Sequence, residues 1–178
     1  VRCGAPTDGV EFDNIVPNSI SHFDYRREHW RYAKFPLVVS AEPLQPVQSK
    51  ALQLCEFFPR FQRDVHSRDG FVNGNFNSVE VFIHSQYFDM IGVEFYKPSL
   101  IERLRIVAGN RPASFLVNPG TEELLEHCLA WGVFPGMTKT TQRESYREIM
   151  PVTRDLSEAG WRPVPWARYG DDATVERF

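Results

Sequence analysis

Short apolar segments that alternate with helix-length stretches limit what this chain can fold into more than any other feature. Asp8-Gly9-Val10-Glu11-Phe12-Asp13-Asn14 runs from a turn into a β-favouring segment and closes on two polar residues. Asp69-Gly70-Phe71-Val72-Asn73-Gly74-Asn75-Phe76 repeats that order. Two more follow, Phe88-Asp89-Met90-Ile91-Gly92-Val93-Glu94-Phe95 and Ala113-Ser114-Phe115-Leu116-Val117-Asn118-Pro119-Gly120, and Trp131-Gly132-Val133-Phe134-Pro135-Gly136 is a fifth, less regular one. Each is too short for a helix and is bounded by Gly, Pro or Asp, so strands are predicted.

Between them lie helical patterns. From Gln45 to His66, Val47, Leu52, Leu54, Phe57, Phe58 and Phe61 fall roughly at helical spacing, with Pro59 expected to kink or end the helix. Ser99 with Glu102 reads as a capping box opening Leu100 to Ala108, and Thr121 as the cap of Glu122 to Trp131, whose Leu124, Leu125, Cys128 and Leu129 make one apolar face. Thr141 with Glu144 reads as a second capping box, opening a helix that Pro151 should interrupt. Strand–helix alternation predicts an α/β fold with a parallel sheet, since parallel neighbours need crossover helices. A doubly wound nucleotide binder should carry GxGxxG or GxxxxGK[ST] after a strand, and neither is present, so a closed barrel is the expectation. Eight units take about 250 residues. The 178 residues supply four or five strands. Residues 1–178 are therefore expected to be a single domain, the C-terminal portion of a (β/α)8 TIM-type barrel, truncated at both ends relative to a full enzyme, with the absent units lying before Val1.

Several function classes are disfavoured. The net charge of -3 comes from 20 basic and 23 acidic residues spread along the chain, with no basic stripe to track phosphates, so nucleic acid is not an expected partner. No apolar run approaches the roughly 18 residues of a membrane span, so no membrane partner is expected either. Cys3, Cys55 and Cys128 share no CxxC spacing, and His22, His29, His66, His84 and His127 form no HxH or HExxH pattern, so neither a disulfide framework nor a metal site is predicted. No GxSxG elbow occurs, and no cofactor is expected.

In a parallel barrel the active site gathers at the C-terminal ends of the strands. The residues there are Asp13 and Asn14, Asn73 and Asn75, Glu94, Asn118, and Pro135 with its neighbours. Two strand-end carboxylates facing across a barrel mouth meet the needs of glycoside hydrolysis, one attacking or stabilising the sugar's developing cation, the other protonating the leaving oxygen. The plainer reading is that Asp-Asn and Asn-Pro-Gly form turns or cap helices. Glu94 ends an otherwise apolar strand, where a buried carboxylate is costly without a partner or a task. Glu11 points to the same side of its strand as Asp13. Phe76, Phe95, Tyr96, Trp131, Phe134, Trp161 and Trp166 lie at or after strand ends, where a ring can stack on a pyranose or simply pack in the core. Ile15 to Pro43 is long for a loop and reads either as substrate rim or as a short amphipathic helix.

At these residues a resemblance emerges. Asp8 to Asn14 resembles the "DG-hydrophobic-x-FDN" strand of (β/α)8-barrel glycoside hydrolases similar to the α-galactosidase clan, and Leu129 to Gly136 with Leu156 to Val164 looks like the tail of barrel proteins of glycosidase-like organisation. In that clan the fourth strand ends in the nucleophilic Asp and the sixth carries the acid/base. Counting from Asp8 to Asn14 as strand four, the segments at Phe71, Met90, Ser114 and Gly132 become strands five to eight. The resemblance then implies hydrolysis of O-glycosidic bonds, with Asp13 as nucleophile and Glu94 as acid/base. Asn14, Asn73, Asn75 and Asn118 would bond sugar hydroxyls, and Phe95 and Trp131 would line the substrate. The clan usually has Asp where Glu94 stands, and the Lys and Trp it often draws from earlier strands fall in the absent half. Two alternatives stay open: a non-catalytic, degenerate barrel that binds a carbohydrate or other partner, and a metal-dependent hydrolase or aldolase, for which clustered His and a strand-end Lys are lacking. The missing N-terminal half of the barrel, or self-association, is the expected complement of this half.

Overall fold

The structure, a computed structural model, describes residues 8–15, 23–76, 82–95, 97–117, 121–136 and 143–162. In chain order the elements are β1 (Gly9–Ile15), β2 (Phe23–Asp24), a 3-10 helix (Arg27–Tyr32), β3 (Val38–Val39), β4 (Pro46–Ser49), α1 (Lys50–His66), β5 (Phe71–Phe76), α2 (Phe82–Ser85), β6 (Met90–Phe95), α3 (Pro98–Ala108), β7 (Ala113–Val117), α4 (Glu122–Ala130), β8 (Phe134–Pro135) and α5 (Arg143–Ala159).

Every strand expected from the sequence enters one parallel sheet, ordered β1-β5-β6-β7-β8. Each strand of that sheet neighbours the next in sequence, without the reversal of order that marks a doubly wound sheet. Alternate residues face opposite ways. One face supplies Val72, Phe76, Ile91, Val93, Ala113, Phe115 and Val133 to a single buried cluster. The same cluster takes Phe58 and Val65 from α1, Ile101 and Leu104 from α3, Leu124, Leu125 and Cys128 from α4, and Tyr146 from α5. These four helices thus cover one face of the sheet, an arrangement compatible with part of an α/β barrel.

The seam between β1 and α1 is aromatic. Phe12 stands edge-to-face to Phe58 at 5.3 Å and Phe61 at 4.7 Å, and to Phe57 and Phe88 at 6.0 Å, and such pairs add about 0.5–1.5 kcal/mol each beyond area burial. Beside them Gly74 has no room for a side chain. A Cβ would lie 2.6 Å from the Phe76 ring, 2.8 Å from Phe88 and 3.0 Å from Ile15. Gly74→Ala is therefore expected to destabilise the fold by about 1–3 kcal/mol, read from urea titration, because overpacking forces neighbours off their rotamers.

Local expectations were partly revised by tertiary structure. The helix predicted from Gln45 begins at Lys50, because Pro46–Ser49 pairs as β4 between β2 and β3 in a small antiparallel sheet that completely buries Val47. Helix α1 continues through Pro59 and α5 through Pro151. Proline costs about 3 kcal/mol inside a helix, yet Phe58 next to Pro59 is 2% exposed and Thr153 near Pro151 is fully buried, so packing holds both helices. Ser99 makes no cap. Lys97 holds the N-cap position without a side-chain bond, and Pro98 opens α3, where its missing N–H costs nothing. Thr121 does cap α4, its Oγ1 accepting from the Leu124 amide at 3.3 Å. Thr141 lies outside the described residues. The stretch read as rim or amphipathic helix contains instead β2, the 3-10 helix and β3, with 16–22 outside the description.

His84, 1% exposed, joins α2 to α1 through its Nε2, which donates to the Ala51 carbonyl at 2.8 Å. Burial lowers its pKa from the ordinary value. Above about pH 6.5 the ring is neutral folded and unfolded, and pH does nothing through it. Below that the unfolded chain takes a proton that the fold refuses, so stability falls by at most about 1.4 kcal/mol per pH unit until the lowered folded value is reached. Urea midpoints at pH 7.5 and pH 5.5 should thus separate further in the wild type than in His84→Gln.

Candidate active site

The face of the sheet opposite the helices is mixed, with Glu11, Asp13, Asn73, Asn75, Glu94 and Ser114 beside Met90, Leu116 and Phe134. Glu11 pairs in register with Asn73 and Asn73 with Met90, while the next row runs Asn75, Gly92, Ser114, Phe134. Glu94 follows Gly92 two residues on and so faces the same way. These five strands hold Glu11, Asp13 and Glu94 and no Lys, Arg or His.

Asp13 owes its position to a bulge. Phe12 pairs with Gly74 and Ile15 with Phe76, so Asp13 and Asn14 together oppose Asn75. Such an extra residue bends a strand and re-aims its side chains. The Asn75 amide nitrogen donates to Asp13 Oδ1 at 2.7 Å. Because a carboxylate can only accept, this bond also fixes which way the Asn75 amide points.

Three further atoms on this face are buried without a hydrogen-bond partner among the described residues: Asn73 Oδ1, Asn75 Oδ1 and Ser114 Oγ. Asn75 and Ser114 are each 4% exposed. A buried polar atom left unpaired costs about 1–3 kcal/mol. Glu94 is half-buried, two strands from Asp13 and two residues beyond the row of Asn75 and Gly92, which puts the two backbone positions roughly 12 Å apart on a flat sheet.

The structure thus brings together Asp13 and Asn75, and puts Asn73 and Glu94 on the face they share. Trp131, at the end of α4, is partly buried against the hydrophobic cluster, and Phe76 lies within that cluster. Asn118 lies outside the described residues, as do the side chains of Asn14 and Phe95. Ser114 was missed. Its signal was the one that exposed Glu94, a single polar residue in an apolar strand, Ala113-Ser114-Phe115-Leu116.

The segment between β1 and α1 builds a second polar locus. Asp24 accepts from the Arg26 amide at 3.0 Å, from its guanidinium at 2.8 and 2.9 Å, and from His29 Nδ1 at 2.8 Å. These bonds, Arg26 foremost, hold the Asp24 carboxyl well below the usual carboxylate range. A cleft of about 400 Å³ opens beside it, lined by Arg26, His29, Tyr32, Gln53 and Glu56. It adjoins the small antiparallel sheet rather than the Asp13 face.

Among the described residues no group of three or more His, Cys, Asp or Glu is placed to hold a metal ion, and no helix is long and apolar enough to cross a membrane. Cys128 and Cys55 are buried free thiols, and burial pushes Cys128 up to about 12, so it is no nucleophile at neutral pH. Comparison with known protein families, curated proteins and solved structures found no match.

Proposed function

We propose that this chain is the portion of a (β/α)8 TIM-type barrel carrying strands four to eight of a glycoside hydrolase, and that it cleaves O-glycosidic bonds with Asp13 and Glu94. The observation that carries the reading is the face of the sheet that no helix covers among the described residues, on which an Asn75-oriented carboxylate at a strand bulge shares its side of the sheet with a second carboxylate two strands away. Asp13 attacks the anomeric carbon while Glu94, as the acid, protonates the departing oxygen. Glu94, now the base, then takes a proton from the water that displaces Asp13, returning the sugar with its configuration retained. Asn75 keeps one Asp13 oxygen engaged and so aims the other. Asn73 and, by the same reading, Asn14 and Asn118 serve the sugar hydroxyls, with Phe95 bordering them; Trp131, packed against the hydrophobic cluster before β8, is not assigned to the site. The remaining barrel strands come from a further segment or from a second copy of this chain.

A second reading is a degenerate barrel in which the same strand-end residues bind a glycan without cleaving it. A panel of aryl glycosides separates the two. Release of aryl alcohol, with NMR showing retained configuration in the first-formed sugar, is expected. Inversion overturns the nucleophile assignment, and binding without release selects the second reading.

A further inference from the structure

Three cations that are scattered in the sequence share one concavity in the fold. Lys34 and Phe35, between the 3-10 helix and β3, line a cleft of about 350 Å³ together with Glu56, Pro59, Arg60 and Arg63 of α1. The α1 residues recur at three-, four- and seven-residue spacing, which sets them along one side of the helix. Glu56 builds the opposite wall, its Oε1 accepting from the Lys34 amide at 2.7 Å and the Phe35 amide at 3.0 Å. That tie seats the 34–35 backbone against the helix. None of the lining residues belongs to the five-stranded sheet, so the cleft is separate from the Asp13 face.

Three positive charges against the one carboxylate leave the cleft at +2, in a chain whose net charge is -3. Among the described residues the side chains of Lys34, Arg60 and Arg63 make no ion pair or hydrogen bond, and Asp64, next to Arg63, is paired with Arg68 at 2.8 Å. All three cations are exposed, and the Phe35 ring beside them is 41% exposed. A single solvated cation is ordinary on a protein surface. Here two separate segments bring three to one cleft, with an aromatic ring and a proline as its apolar wall. The volume lies at the lower end of small-molecule sites, roughly 300–1,000 Å³, and three cations in one cleft do not make the extended stripe that a nucleic acid requires. A phosphate monoester carries about -1.5 to -2 near neutral pH, which matches the surplus of the cleft, and guanidinium forks pair well with phosphate oxygens.

We propose that this cleft binds a small phosphate monoester, its phosphate taken by Lys34, Arg60 and Arg63 and its ring or other apolar part laid against Phe35 and Pro59. The site is independent of the hydrolase reading, which uses none of these residues.

The test is calorimetric titration of the full chain with phenyl phosphate, inorganic phosphate and benzoate at one fixed ionic strength, since exposed charges are screened by salt. Wild type is compared with Arg60→Gln, Arg63→Gln, Phe35→Ala and Glu56→Gln, each checked by its melting temperature. One phenyl phosphate per chain is expected, with benzoate, a monoanion, weaker by about fivefold or more and each arginine variant weakening phenyl phosphate by about fivefold. Phe35→Ala should bring phenyl phosphate down to the affinity of inorganic phosphate. Glu56→Gln keeps an oxygen for the two amides while removing the opposing charge, so it should tighten phenyl phosphate by about twofold or more. No binding of phenyl phosphate, benzoate binding as tightly, or affinities within twofold of wild type in both arginine variants would each overturn the site. Binding of phenyl phosphate no tighter than inorganic phosphate in the wild type would overturn the role given to Phe35 and Pro59.

Discussion

Arg105→Met should destabilise the fold by about 3–5 kcal/mol, an effect as large as breaking a buried ion pair. Arg105 is 1% exposed, and its guanidinium donates to the carbonyls of Gly132 at 3.1 Å, Gly109 at 3.0 Å and Arg111. Gly109 is the C-cap of α3, and Gly132 directly follows the C-cap of α4. Carbonyls at helix C-termini lack intrahelical partners and carry partial negative charge. One cation thereby holds the ends of two helices and the turn into β7. Burial lowers its pKa to about 10, still high enough to keep it charged at neutral pH. Methionine fills similar volume but leaves three carbonyls without their donor. Urea titration should register the full loss, with the melting temperature falling by roughly 10 °C. A change below about 1 kcal/mol would mean that water or relaxation replaces those bonds.

Asp13→Asn should abolish hydrolysis of aryl glycosides, while Glu94→Gln should lower kcat/KM by about 10²–10⁴-fold, the usual worth of a positioned general acid–base. The two losses should differ in kind. Asparagine cannot form the glycosyl ester, so Asp13→Asn fails with every leaving group. Glutamine fails chiefly as a proton donor, so activity of Glu94→Gln should recover toward wild type as the leaving phenol becomes more acidic. Asp13→Asn also removes the acceptor for the Asn75 amide, so its melting temperature must be measured alongside. Equal sensitivity of both variants to the leaving group would contradict the assigned roles.

The legibility of the sheet follows from its punctuation. Gly70 and the Gly109 and Gly132 turns, each at positive φ in the latter two, bound strands whose period of two no helix can share. The mixed face was legible for the same reason, since alternation alone puts Asn73 with Asn75 and Gly92 with Glu94 on one side. Long-range pairing was not. Pro46–Ser49 is a strand only because Phe23–Asp24 and Val38–Val39 flank it in space. Likewise, nothing local announces that Ile15 skips a register step, yet that step is what gives Asp13 and Asn14 a single partner in Asn75. Pro59 and Pro151 misled for the opposite reason, local propensity being outweighed by the burial of Phe58 and Thr153. Ser114 carried the same signal as Glu94, a lone polar residue in an apolar strand, but its place beside Gly92 follows only from pairing one strand away.

The most direct test of the central claim, that Asp13 is the nucleophile of a retaining glycosidase, is covalent trapping with 2-deoxy-2-fluoro aryl glycosides. These form the glycosyl ester but slow its hydrolysis. Peptide mass spectrometry of the inactivated protein should find one fluorosugar per chain, on Asp13, and no label in Asp13→Asn. Label on Glu94, Glu11 or any residue other than Asp13, or an active protein that no fluorosugar labels, would contradict it.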